Sequence, residues 1–154
     1  MRRPFRSYLV EALERIGREA PGAYAEICRA LGARVIRIEV DGEVVSVTVV
    51  DGGVGGGRVG KGRVWEGRIV VVAGVGSGQS ALRAATSRAE IVALTDGVSS
   101  LEEALTSERV RLSGEAGDLA CGFDALAAFV QGAVRCPELE PLMAAFRRDV
   151  EEPW

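Results

Sequence analysis

The chain has 154 residues, 47% apolar and 27% charged, with a net charge of −3; that is the size and balance of one globular domain, taken here as residues 1–154, and not of a disordered chain. The basic residues are scattered on an acidic background, so there is no electrostatic footprint for nucleic acid, and no segment approaches the roughly 20 apolar residues of a membrane span. Histidine is absent, which excludes histidine-dependent triads and the usual zinc sites. The three cysteines, Cys28, Cys121 and Cys136, are odd in number and far apart, which argues against a disulfide framework and for a reducing, cytoplasmic compartment. Arg2 and Arg3 lead into no apolar run, so the start of the chain does not read as a signal peptide.

In chain order, Phe5, Tyr8, Leu9, Ala12, Leu13 and Ile16 recur at helical spacing, and Gly17 is expected to stop the helix. Pro21-Gly22 opens a second helix with Tyr24, Ile27 and Leu31 on one face and Gly32 as its stop. The period then becomes two. Ile36, Ile38 and Val40 alternate with polar residues, Asp41-Gly42 marks a two-residue hairpin turn, and the return strand runs from Glu43 to Val50. Seven glycines between Gly52 and Gly62 make residues 51–66 a flexible loop. A third strand is expected at Gly67 to Ala73 and a fourth at about Gln79 to Thr86. Ser87 with Glu90 forms a capping-box pattern before a helix carrying Ile91 and Leu94, and Ser99 with Glu102 or Ser100 with Glu103 caps a short helix. Val110 to Gly114 reads as a fifth strand. From about Gly117 a long helix puts Leu119, Phe123, Leu126, Val130 and Ala133 on one stripe, Pro137 breaks it, and a last helix gathers Leu139, Leu142, Met143 and Phe146. The tail Glu151 to Trp154 is expected to fray. Clustered strands joined by a tight turn, with helices before and after, predict an α+β fold with a largely antiparallel sheet.

Two glycine motifs resemble nucleotide sites. Gly55 to Gly62 nearly spells a phosphate loop, but Gly62 stands where a Ser or Thr must hold magnesium, and Arg63-Val64-Trp65-Glu66-Gly67 is not the helix such a loop needs. Val70 to Gly78 followed by Asp96 resembles the opening of a Rossmann-type methyltransferase. Val72 stands where that motif wants an acid, and too few elements follow for a doubly wound sheet. No cofactor is expected. Asp118, Asp124, Glu138 and Glu140 could pair for acid/base work, but solvated helix faces explain them more simply, and a buried structural thiol is the simpler reading of Cys121.

Thr86-Ser87-Arg88-Ala89-Glu90-Ile91, Asp96-Gly97, Leu101-Glu102-Glu103-Ala104, Val110-Arg111-Leu112-Ser113-Gly114 and the helix from Phe123 to Phe129 resemble bacterial sterol-carrier-protein (type 2)-like domains. The run Ala127 to Pro137 resembles one bacterial branch of them. Glu115 stands where the family often has aspartate, and Gly52 to Gly67 has no counterpart. The resemblance implies a five-stranded sheet covered by helices, an apolar tunnel between sheet and C-terminal helices, and no shared catalytic residues. On this reading Phe123, Leu126, Phe129, Val130, Leu142, Met143 and Phe146 line an apolar cavity, since Phe and Met suit adaptable pockets. The expected function is non-catalytic binding or carriage of a hydrophobic small molecule, such as a lipid, a sterol or a polyketide. A cofactor-independent cyclase or isomerase using the same cavity, and an accessory subunit docked on a partner enzyme, are the alternatives. A homodimer stays open.

Overall fold

The computed structural model describes residues 2–51, 67–75 and 80–152. The glycine-rich stretch with its phosphate-loop look-alikes, and Gly76-Ser77-Gly78, fall outside the described residues. Six helices and five strands follow in the order α1 (Phe5–Glu19), α2 (Pro21–Leu31), β1 (Ile36–Val40), β2 (Glu43–Asp51), β3 (Gly67–Ala73), β4 (Leu82–Thr86), α3 (Arg88–Thr95), α4 (Leu101–Thr106), β5 (Arg111–Gly114), α5 (Ala116–Val134) and α6 (Leu139–Glu151). The strands make one sheet in the order β3-β2-β1-β4-β5. Three neighbouring pairs are antiparallel, and β1 runs parallel to β4. The fold is therefore α+β with a mostly antiparallel sheet. No single described helix is long and apolar enough to cross a membrane.

Asp41 and Gly42 sit at φ 51° and 84°, the pair of left-handed residues that a twisted two-residue hairpin turn requires. Strand alternation then sorts the sheet into two faces. Ile36 and Val40 of β1, Val45 and Val47 of β2, Ile69 and Val71 of β3 and Leu82 of β4 turn inward, where they join Ile16, Ile27, Cys28, Leu31 and Phe146 from the helices in one core. Each such side chain contributes about 1.5–3 kcal/mol when fully buried. Arg37, Glu39, Thr48, Arg83 and Arg111 lie on the outward face, half-buried to exposed. Ser46 shares that face but is buried, with its hydroxyl donating to the Gly74 carbonyl at 2.9 Å.

Gly17 does not stop α1, which continues to Glu19. A Cβ at Gly17 would lie 3.3 Å from the Tyr24 ring, so this glycine lets α2 pack closely on the helix. The break falls at Ala20, before Pro21, which needs no amide hydrogen at the first position of α2. Ser87 and Ser100 cap α3 and α4 by accepting from the amides of Glu90 and Glu103. The Glu90 carboxylate does not reach back to its own cap. It accepts from the Ser99 hydroxyl at 2.8 Å and faces Arg109 at 3.3 Å, tying α3 to the segment before β5.

The hairpin turn also organises the helices. The Glu43 carboxylate accepts from the amides of Phe5 and Arg6, at 2.8 and 3.0 Å, so β2 supplies the cap that α1 lacks. Asp41 accepts from the Arg88 amide at 3.1 Å and caps α3. The Arg88 side chain is buried. It donates to Glu43 and to the Arg3 carbonyl, and its guanidinium lies 5.5 Å from the Phe146 ring centre and 6.0 Å from that of Tyr8. Removing the partner of a buried charge leaves that charge uncompensated. Glu43→Ala is therefore expected to cost about 3 kcal/mol in denaturant unfolding, from the lost helix cap and the stranded Arg88 together.

Tyr8 stacks edge-on to Phe146 at 5.0 Å, and its hydroxyl donates to Asp149 at 2.7 Å. Burial and that hydrogen bond push the phenol from 10.0 up to about 12. The native state thus holds this proton more tightly than the unfolded chain. The associated stability is fully present below pH 10 and is lost as the pH rises toward 12. Unfolding free energies measured across that window should fall with pH in the wild type, and Tyr8→Phe should remove this component of the slope.

Candidate functional site

Helix α5 is where sequence and structure part most usefully. Its stripe of large apolar residues faces away from the core. Phe123 is 40% exposed, Leu126 38%, Val130 52% and Val134 81%. At 100° per residue, Phe123, Val130 and Val134 fall within roughly 40° of one another round the helix axis, and the stripe from Phe123 to Val134 runs about 16 Å along it. Ala120 and Ala127 share this exposed side, and Asp124 and Gln131 flank it. The helix contains no lysine or arginine.

The inward side of α5 is built from small residues instead. Ala125, Ala128 and Gly132 are its buried positions. A Cβ at Gly132 would lie 2.8 Å from Ile16 and 2.9 Å from Ala23, and one at Gly122 would lie 2.4 Å from the end of the Leu82 side chain. The backbone of α5 therefore sits directly against α1, α2 and β4, leaving no room on that side for Phe or Leu. Arg34 anchors the start of the helix by donating to Asp118 at 2.8 Å; this bond raises the Arg34 pKa.

The seven residues expected to line one cavity do not share one surface. Phe123, Leu126 and Val130 lie on the exposed stripe. Leu142 and Phe146 are fully buried in the core, where Phe146 packs on Phe5 and Tyr8. Phe129 and Met143 are half-buried at the edge of that core. Two of the clefts on the described surface contain none of the seven. One, of about 280 Å³, lies between the hairpin turn and the start of β5 and is lined by Glu39, Asp41, Glu108, Arg109 and Arg111 among others. The other, of about 420 Å³, follows the charged side of α1 past Arg3, Glu11, Glu14 and Arg18.

Three of the four acids that could pair for acid/base work have an arginine partner instead. Asp118 faces Arg34, Glu138 faces Arg18 at 3.7 Å, and Glu140 faces Arg147 at 3.4 Å, while Asp124 is exposed, so the four acids do not converge. A hydrogen bond from Arg3 holds the Glu11 carboxyl below its usual range. Burial pushes up the Cys28 thiol and the Tyr24 phenol; the Tyr24 hydroxyl accepts from the Ile69 amide at 2.9 Å and pins α2 to β3. Cys28 and Cys136 are buried, whereas Cys121 is only half-buried, and all three are free thiols.

The sequence contained a signal for the orientation of α5 in the spacing of Ala125, Ala128 and Gly132, small residues three and four apart opposite the large ones. Weight on side-chain size alone pointed the wrong way round the helix. Overpacking a tight contact costs about 1–3 kcal/mol, against about 1 kcal/mol gained by replacing a mid-helix glycine with alanine. Gly132→Ala is thus expected to be neutral to destabilising by up to about 2 kcal/mol, and Gly132→Leu to prevent native packing of α5, as read by thermal melts and near-UV circular dichroism.

No protein-family model matches the chain, and no curated protein matches it. Solved structures do. The ubiquinone synthesis protein UbiJ-SCP2 superposes over 84% of this chain and 96% of its own, at 16% identity and a TM-score of 0.52. Sterol carrier protein 2 like 2 from Aedes aegypti covers 74% of this chain and 88% of its own, at 16% identity and a TM-score of 0.42. The chain has the sterol-carrier-protein-2-like fold.

Proposed function

We propose that the protein binds a hydrophobic small molecule without transforming it, laying the ligand along the outward stripe of α5. The observation that carries this reading is the exposure of Phe123, Leu126, Val130 and Val134 on one side of a helix whose inward side is already filled by small residues. A soluble domain rarely leaves a contiguous apolar patch uncovered unless the patch is used. Because Phe146 and Leu142 belong to the closed core, the ligand site draws on the Phe123, Leu126 and Val130 part of the expected set, with Phe129 and Met143 at its edge. The likeness in fold to a protein named for ubiquinone synthesis makes quinone-like lipids the first class to test. The free thiols fit a cytoplasmic location.

Native mass spectrometry of the purified protein should show co-purified lipid. A fluorescent fatty acid and a short-chain ubiquinone should compete for one saturable site. Each side chain of the stripe that a ligand covers contributes on the order of 1–2 kcal/mol, so Val130→Asp should weaken binding by about tenfold or more. The same change should leave the thermal melt nearly unchanged, since Val130 is already exposed. Equal affinity in wild type and Val130→Asp would overturn the placement. Absence of any lipid or probe binding would overturn the function and favour the docking of an enzyme subunit on this stripe.

A further inference from the structure

We propose that the outward face of the sheet holds a second, independent site, one for a phosphate-type anion, formed by Arg37, Arg83 and Arg111. Strand register puts these three side chains together. Arg37 of β1 lies directly beside Arg83 of β4 in the parallel pair. Arg83 lies opposite Ser113 and Ala85 opposite Arg111 in the β4–β5 pair, so Arg111 stands on the same face, one strand over and two residues along. With strands about 4.8 Å apart and about 3.3 Å per residue, the three Cα atoms fit within roughly 12 Å. Ser46 and Ser113 extend the Arg37–Arg83 row on either side.

The arrangement is costly unless something sits on it. Like charges directly opposite one another destabilise a sheet, and these occupy β1 and β4, inside the sheet and not at an edge. Nine of the sixteen arginines among the described residues have a carboxylate partner, namely Arg2, Arg3, Arg15, Arg18, Arg29, Arg34, Arg88, Arg109 and Arg147, while Arg6, Arg68, Arg135 and Arg148 have none. Arg37, Arg83 and Arg111 have none among those residues. The Arg37 Nε is shielded from solvent with no hydrogen-bond partner among them. No acceptor among the described residues replaces the water it has given up, and a buried donor without an acceptor costs free energy. Arg83 makes one exposed contact, to the Ser80 hydroxyl at 3.3 Å. Glu39, on the same face beside Ala85, is the one acid on these three strands' outward positions and leaves the cluster at a net +2.

Guanidinium forks match the oxygen spacing of phosphate and carboxylate. Three arginines on one face of adjacent strands favour a compact group of two or more negative charges over an extended acidic peptide. The neighbouring 280 Å³ cleft mixes Arg109 and Arg111 with Glu39, Asp41 and Glu108, so the anion is seated on the Arg37–Arg83 row and only its margin reaches that cleft. This site lies on the sheet and does not rest on the lipid reading of α5.

Residue-resolved NMR of the full chain, titrated with inorganic diphosphate at low salt, tests it. Saturable shifts should centre on Arg37, Arg83 and Arg111, and diphosphate should raise the melting temperature of the wild type. Arg37→Gln with Arg83→Gln should weaken binding by about tenfold or more while melting no lower than wild type without the anion. Arg83→Gln alone, at an exposed position, should show the same trend. Arg29→Gln, which removes an arginine paired with Glu26, should change nothing. Flotation with vesicles containing phosphatidylglycerol separates the sources: vesicle capture abolished by the double substitution assigns a lipid headgroup, and diphosphate binding without capture assigns a soluble phosphate. No saturable shift and no capture, shifts of equal strength in the double variant, or a response to polyglutamate alone would overturn the proposal.

Discussion

The small-residue contact of α5 is the constraint on which the rest of this molecule turns. Ala125, Ala128 and Gly132 bring its backbone onto α1 and α2 so closely that an added methyl at Gly132 would meet Ile16 at 2.8 Å. Close approach on one side of a helix fixes what the other side must do. With no space inward, Phe123, Leu126, Val130 and Val134 are directed to solvent. The exposed stripe is a consequence of tight packing and not of a loose helix, and it gives an apolar rail along the outer side of α5.

The second organising element is the Asp41–Glu43 turn. A hairpin normally closes two strands; here its acids also satisfy the amides that begin α1 and α3, and Glu43 balances buried Arg88. Arg88 in turn lies near the rings of Tyr8 and Phe146, so the first helix, the hairpin and the last helix are joined at one corner. Phe146 is consumed by that corner. This is why a residue with the right chemistry for a pocket does not contribute to one.

Much of the fold was legible because its signals are local. The Asp41-Gly42 turn, the third strand and the Ser87 cap each depend on residues within a few positions of one another and stand where the sequence places them, and of the two caps the sequence offers for α4 the structure uses Ser100. The β1–β4 pair was not legible as a parallel pair, because about forty residues separate the strands and no local pattern encodes which edge a later strand joins. Gly17 misled for a similar reason: a glycine that admits a neighbour's ring and a glycine that ends a helix are the same letter. The candidate site was legible in composition but not in direction. An apolar stripe normally faces the core, and only the opposite run of small residues tells that α5 reverses the rule. Glu90, read as half of a capping box, instead binds Ser99 and Arg109 from a segment nine and nineteen residues on, which local pairing rules do not anticipate.

The central claim is that the outward stripe of α5, and not an enclosed core cavity, receives the ligand. Photo-crosslinking with a diazirine-bearing fatty acid, followed by peptide mapping, reads that directly. The account predicts label on Phe123, Leu126, Val130 and Val134, with weaker label at Phe129 and Met143. Label concentrated on Leu142 and Phe146 would contradict it, because those side chains are reachable only if the core opens.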